Sequence, residues 1–202
     1  MIKNIIFDFG DVFINLDKEA TFVALAKLGV GEITDEMLAI AKQYEVGATS
    51  TEAFVNFFQK EFSIANDQLV DAWNAILLDF PIHRLVFLKE LARSKKYRLF
   101  LLSNTNELHI SWIQNDWGMN LYSEFKNCFE QFYLSHEINL RKPNADIYEF
   151  VLEENQLRAE ETFFVDDTLE NTSTAEKLGI KVWNINPEKE DVTTLLTKNE
   201  FN

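Results

Sequence analysis

Three short runs, each largely apolar and each ending at a polar side chain, constrain this chain more than any other feature of its 202 residues. Ile5-Ile6-Phe7 runs into Asp8, Tyr97 to Leu102 into Ser103, and Thr162 to Val165 into Asp166. Runs this short, apolar at successive rather than alternate positions, suit parallel strands buried on both faces. A fourth, Ile180 to Trp183, follows Gly179 as a strand follows a helix C-cap, and Phe129 to Leu134 offers a fifth. Helical spacing occupies 84–94, 107–115, 145–154 and about 172–178 between them. The alternation predicts a doubly wound α/β fold with a parallel, Rossmann-like sheet and right-handed crossovers.

Residues 15–79 break that alternation with helical segments at 18–28, 34–43, 50–62 and 66–77 and no convincing strand. Thr34 reads as an N-cap, with Asp35 and Glu36 in the first turn where the helix dipole favours them. So long an insertion predicts a helical cap at 15–79, with 1–14 and 80–202 forming the α/β core. The alternative is that the same helices simply cover one face of the sheet. Phe54, Phe57, Phe58 and Phe62, at helical spacing, are expected to form a core among these helices.

Composition narrows the partners. Nineteen Lys and Arg against thirty-three Asp and Glu give a net charge of −14, which disfavours nucleic acid and anionic membrane surfaces. The one cysteine, Cys128, has no internal disulfide partner and is expected to be a small buried hydrophobe. No apolar run approaches the length needed to span a bilayer, and the first residues lack a secretory pattern. A cytoplasmic location is the expectation.

In doubly wound sheets ligands bind beyond the carboxyl ends of the strands, so the residues just after each run carry the functional weight. They are Asp8-Phe9-Gly10-Asp11, Ser103-Asn104-Thr105-Asn106 and Asp166-Asp167. Clustered carboxylates with hydroxyl and amide groups form the oxygen-rich surrounding that Mg²⁺ prefers, with Asp8, Asp166 and Asp167 as candidate ligands. Like charges brought together need a compensating cation, and Lys142 is the candidate lysine. Each element also has a purely structural reading. Gly10 could serve a turn needing positive φ, Ser103-Asn104-Thr105 could cap the helix at Glu107, Arg141-Lys142 could be a solvated pair before a helix opened by Pro143, and Asp166-Asp167 could cap the next helix.

Those residues occur in an order that resembles the haloacid dehalogenase superfamily over essentially the whole chain. Phe7-Asp8-Phe9-Gly10-Asp11-Val12 resembles its first motif and Leu102-Ser103-Asn104-Thr105-Asn106 its second. Lys142-Pro143 resembles the third, and Phe164-Val165-Asp166-Asp167 with Asn171 the fourth. The Ser-Asn-Thr-Asn-x-Leu-His run at 103–109 is similar to the branch holding sugar-phosphate phosphatases, glucose-1-phosphate phosphatases among them, and the phosphatase domain of epoxide hydrolases. The resemblance implies a Mg²⁺-dependent hydrolase of a small phosphorylated metabolite. Asp8 would be the nucleophile that becomes an aspartyl phosphate and would also ligate the metal. The Gly10 carbonyl and Asp167 would complete the metal site, with Asp166 a further ligand or a support behind it. Ser103 and Asn104 would hold phosphoryl oxygens, Lys142 would balance charge, and Glu45-Val46-Gly47 would lie over the substrate or merely end a helix.

One departure stands out. The phosphatase pattern carries a second aspartate two positions after the nucleophile as general acid and base, where this chain has Gly10. Asp11, one residue on, could substitute or point away. Two rival readings follow: a silent phosphate-binding or protein-binding relative, which exposed Trp112 and Trp117 would favour, and a metal-free dehalogenase. His83, His109 and His136 are not expected to be catalytic.

Overall fold

The computed structural model describes residues 1–201. Its sheet has five parallel strands in the order β3-β2-β1-β4-β5. They are β1 (Asn4–Phe7), β2 (Arg98–Ser103), β3 (Gln131–Leu134), β4 (Thr162–Asp166) and β5 (Lys181–Asn184). Register places Phe7 beside Leu101 on one side and Val165 on the other, so the residues following these pairs emerge together at one edge. That edge carries Asp8, Ser103 and Asp166. The three inner strands are buried along nearly their whole length, as continuous apolar runs require.

Helices α1 (Ala20–Lys27), α2 (Asp35–Glu45), α3 (Thr51–Phe62) and α4 (Asn66–Asn74) follow β1. Then come α5 (Ile82–Ser94), α6 (Glu107–Trp117), α7 (Met119–Lys126), α8 (Ser135–Ile138), α9 (Ala145–Glu154) and α10 (Leu169–Lys177). Thr34 and Ser50 cap α2 and α3 by accepting from the backbone N–H three residues on. Asn106 caps α6 by accepting from His109 N–H, which leaves Ser103 and Asn104 free of that task. The helices α7 and α8 carry no sequence signal. The first buries little beyond Tyr122 and Phe125, and the second is a single turn, too short to show a period.

Apolar side chains collect in three clusters, one on each face of the sheet and one among α1–α4. The last holds Phe54 and Phe58 fully buried, Tyr44 stacked on Phe54 at 4.4 Å between ring centroids, and Phe57 and Phe62 packed at its margin. Trp112 and Trp117 pack against the core rather than standing free, and Trp117 stacks on Phe80 at 4.1 Å. Cys128 is half-buried, its thiol donating to the Glu124 carbonyl, so it is less enclosed than expected. No helix among the described residues is long and apolar enough to cross a membrane.

The end of α2 is seated on α8. Asn139 Nδ2 donates to the Val46 carbonyl at 2.8 Å, Arg141 Nε reaches Glu45 Oε1 at 2.7 Å, and Gly47 lies with φ at +69° against the His136 carbonyl. A Cβ on Gly47 would stand 2.1 Å from that backbone oxygen, so only glycine fits. Gly47→Ala is expected to cost roughly 1–3 kcal/mol through backbone strain and a loosened α2–α8 contact, measured as a lowered urea midpoint.

Candidate active site

The ammonium of Lys142 is the centre of the site. The side chain is only 1% exposed, and Nζ lies 2.7 Å from Asp8 Oδ1 and 2.7 Å from Asp166 Oδ2. Asp166 is fully buried at the end of β4, and its oxygens also accept from Asn171 Nδ2 and from Thr168 N–H. Burial alone would push Lys142 down, but Asp166 and Asp8 overcome it and hold its pKa above the usual lysine value. Asp8 moves upward, to about 7: burial raises it, Lys142 draws it down, and the nearby Asp166 and Asp167 carboxylates raise it further. Lys142 and Lys18 together do not neutralise Asp8, Asp11, Asp166 and Asp167, and the cluster keeps a surplus of negative charge.

Asn104 holds Lys142 in place. Its Oδ1 accepts from Lys142 N–H and its Nδ2 donates to the Lys142 carbonyl, both at 2.9 Å. The side chain expected to grip phosphoryl oxygens is therefore occupied with the lysine backbone. Ser103, at the end of β2, is 3% exposed, and among the described residues its hydroxyl is bonded to nothing. Ser135 Oγ accepts from Thr105 N–H at 2.9 Å and stands 2.6 Å from the Glu45 carbonyl and 3.0 Å from that of Thr105, with one proton for the two. This buried hydroxyl joins the loop after β2 to the end of α2.

The loop after β1 departs from its sequence reading in an informative way. Asp11, not Gly10, takes the left-handed conformation, with φ at 55°. What occupies the space beside position 10 is Leu16: a Cβ there would stand 2.6 Å from Leu16 Cδ1, so a side chain at this position would make the Leu16 methyl shift. The space of the missing acid is filled with hydrocarbon. Asp11 Oδ1 accepts from Leu16 N–H at 3.1 Å and Oδ2 pairs with Lys18 Nζ at 3.0 Å, so both its oxygens are committed. Lys18 also donates to Asp167 Oδ2 at 2.6 Å. Although burial opposes it, the bonds to Asp167 and Asp11 keep the Lys18 pKa raised. Sequence reasoning misses Lys18, because nothing in local spacing points to a partner 149 positions away.

Asp8, Asp166 and Asp167 each offer an oxygen, and these lie within 4.8 Å of one another. An all-carboxylate donor set that retains negative charge is the chemistry of a hard divalent cation such as Mg²⁺. Asp167 and Asp8 each keep one oxygen uncommitted among the described residues, whereas both oxygens of Asp166 are bonded. The residues present thus fit the ion, with Asp166 working mainly to hold Lys142.

Beside this cluster lies a cavity of about 330 Å³, between the loops after β1 and β2 and helices α1, α2 and α4. Gly10, Lys18, Ser103, Asn104 and Glu45 line it, so it adjoins the cluster through the loop after β1, the end of β2 and the lysine paired with Asp167. His109 lines it too; burial lowers its pKa to about 4, its Nε2 lies 3.2 Å from the Trp73 carbonyl, and Nδ1 lies 3.2 Å from Asn106 Nδ2. It is a neutral, fully bonded tie between α6 and α4.

Comparison with known proteins agrees. The model of the haloacid dehalogenase-like hydrolases matches residues 5–185. A D-ribitol-5-phosphate phosphatase of Bacteroides thetaiotaomicron is 26% identical over 194 residues, covering 91% of each chain. A HAD-family enzyme from the same organism, solved as a magnesium complex, superposes with a TM-score of 0.86 at 32% identity, over 98% of this chain and 99% of that one. A HAD-like hydrolase from Porphyromonas gingivalis gives 0.85 at 29% identity, over 98% and 100%. With the motifs in order, the sheet in register and the lysine-linked acids at its edge, this chain belongs to the haloacid dehalogenase-like hydrolases.

Proposed function

We propose that the protein is a Mg²⁺-dependent phosphomonoester hydrolase of a small phosphorylated metabolite, with Asp8 as nucleophile. The observation that carries it is Lys142 buried between Asp8 and Asp166 beside an uncommitted Asp167 oxygen, next to a cavity that Gly10, Ser103 and Lys18 line. The relatives support it: one bears the name of a phosphatase, and a Bacteroides HAD-family enzyme, 32% identical, was solved with magnesium and inorganic phosphate. The acid cluster argues against the metal-free dehalogenase, whose carboxylate substrates it would repel. The packed Trp112 and Trp117 remove the surface that would have favoured a silent binding relative.

Asp8, Asp167 and the Gly10 carbonyl would hold Mg²⁺, which when bound neutralises phosphoryl oxygens. The Asp8 carboxylate attacks phosphorus as the bond to the alcohol oxygen breaks, and water then attacks the aspartyl phosphate to release inorganic phosphate. Lys142 keeps Asp8 oriented and offsets charge accumulating on the phosphoryl group. Ser103 Oγ and the backbone N–H of Asn104 are the donors left for phosphoryl oxygens. Position 10 supplies no acid and Asp11 is tied to Lys18 and Leu16, so the alcohol leaves with Lys18 as a fixed charge nearby rather than with a ready proton. The narrower expectation of a sugar phosphate such as glucose 1-phosphate rests on the resemblance and on the ribitol-phosphate relative, and the cavity lining bears against it.

Phosphate release is expected to need Mg²⁺ and to vanish with EDTA or in Asp8→Asn; metal-dependent turnover surviving in that variant would sink the reading. Asn104→Ala, which frees the Lys142 backbone, is expected to lower kcat on the order of 10²-fold, measured in steady-state assays. Across aryl phosphates the rate should fall steeply as leaving-group pKa rises, and a flat dependence would show that an efficient proton donor is present.

A further inference from the structure

The cavity beside the acid cluster is mainly hydrocarbon. Phe22, Leu25, Met37, Leu38, Trp73 and Leu77 form most of the wall that faces away from Ser103 and Asn104. The polar groups among the lining residues are largely committed to the protein. Lys18 bridges Asp11 and Asp167, Glu45 is paired with Arg141, Thr21 Oγ1 donates to the Trp73 carbonyl, and His109 and Asn106 bond each other. One side-chain donor on that wall is without a partner and reachable among the described residues, the ammonium of Lys42; Trp73 Nε1 also lacks a hydrogen-bond partner but is a fully buried atom.

A polyol or sugar placed there would bury several hydroxyls against carbon, and each hydroxyl without a partner is penalised. An alkyl or cyclic skeleton would instead remove apolar surface from water on both sides. At roughly 30 Å³ per water-sized group, the volume suits an alcohol on the order of ten heavy atoms that carries few oxygens beyond the ester itself.

We propose that this cavity selects phosphate monoesters of small, predominantly apolar alcohols over sugar and polyol phosphates. The phosphate is held at Asp8 and Ser103, and the carbon skeleton lies along α1 and α2. The inference rests on the reading of Asp8 as a phosphohydrolase nucleophile and names the substrate class of that same site.

The test compares kcat/KM, with Mg²⁺, for n-hexyl phosphate and cyclohexylmethyl phosphate against ribitol 5-phosphate and glycerol 3-phosphate, with p-nitrophenyl phosphate as a general probe. All four alkyl and polyol esters are of primary alcohols, and the polyols are the better leaving groups, so a preference for the alkyl esters comes from binding. The expected ratio of alkyl to polyol ester exceeds ten, and Phe22→Ser or Leu38→Ser lowers it roughly tenfold, the discrimination that a methylene or two supplies in a hydrophobic pocket. Phe22 and Leu38 line the cavity while being about half exposed, so both variants are expected to fold. A ratio at or below one, or a ratio indifferent to both variants, overturns the proposal and leaves the phosphohydrolase standing. Silence on every ester, p-nitrophenyl phosphate included, overturns the nucleophile reading and this inference with it.

Discussion

Everything at this site depends on a single ammonium held out of water among carboxylates. Removing Lys142 and Asp166 from solvent is expensive, and their mutual attraction repays it only when the remaining lone pairs are also satisfied. Asn171 and Thr168 satisfy Asp166, and Asn104, just past the end of β2 at the same sheet edge, fixes the lysine backbone. Two lysines face four acids, so negative charge is left in surplus where Asp8 and Asp167 keep uncommitted oxygens. A cation and an anionic ester together complete what the protein leaves unbalanced there.

The architecture was legible because burial on both faces leaves no room for alternation. The runs ending at Asp8, Ser103 and Asp166 are inner strands, and their shared register makes their ends a single site. Lys142 was legible as the necessary counter-charge. The jobs of other residues depend on distances that sequence spacing does not encode. Asn104 reads as a phosphate ligand or a cap; its side chain clamps Lys142, which leaves its backbone N–H for the first role, while Asn106 is the cap. Leu16 and Lys18 sit just before and at the start of a stretch that reads only as a helix, yet one fills the space beside Gly10 and the other bridges Asp11 to Asp167. The single-turn helix at Ser135 carries no periodic signal at all, although its hydroxyl links three segments.

Gly10 is better understood through volume than through conformation. Its φ is not positive, and the Leu16 methyl fills the space where its side chain would begin. Hydrocarbon from Leu16 lies where the phosphatase pattern carries its second aspartate, and the Lys18 ammonium stands nearby, paired with Asp11 and Asp167. Such a centre handles developing charge by electrostatics, which fits a wall of apolar residues, since a dry site strengthens every fixed charge within it.

Because its groups come from positions 8, 103, 142 and 166, this site has no partial form. The strand β1 is flanked by β2 and β4, so the first strand of the chain is locked in place only by partners made roughly a hundred and more residues later. Contacts of such sequence separation are slow to close and are won together rather than one at a time. During synthesis the chain therefore carries an unpaired apolar strand next to its future nucleophile for most of its length, and competence arrives in one step, when β4 docks. Catalytic activity in this protein is thus a late and global reporter of folding, and the intervening α1–α4 helices, with a hydrophobic cluster of their own, are the part of the molecule equipped to gain structure while the sheet waits.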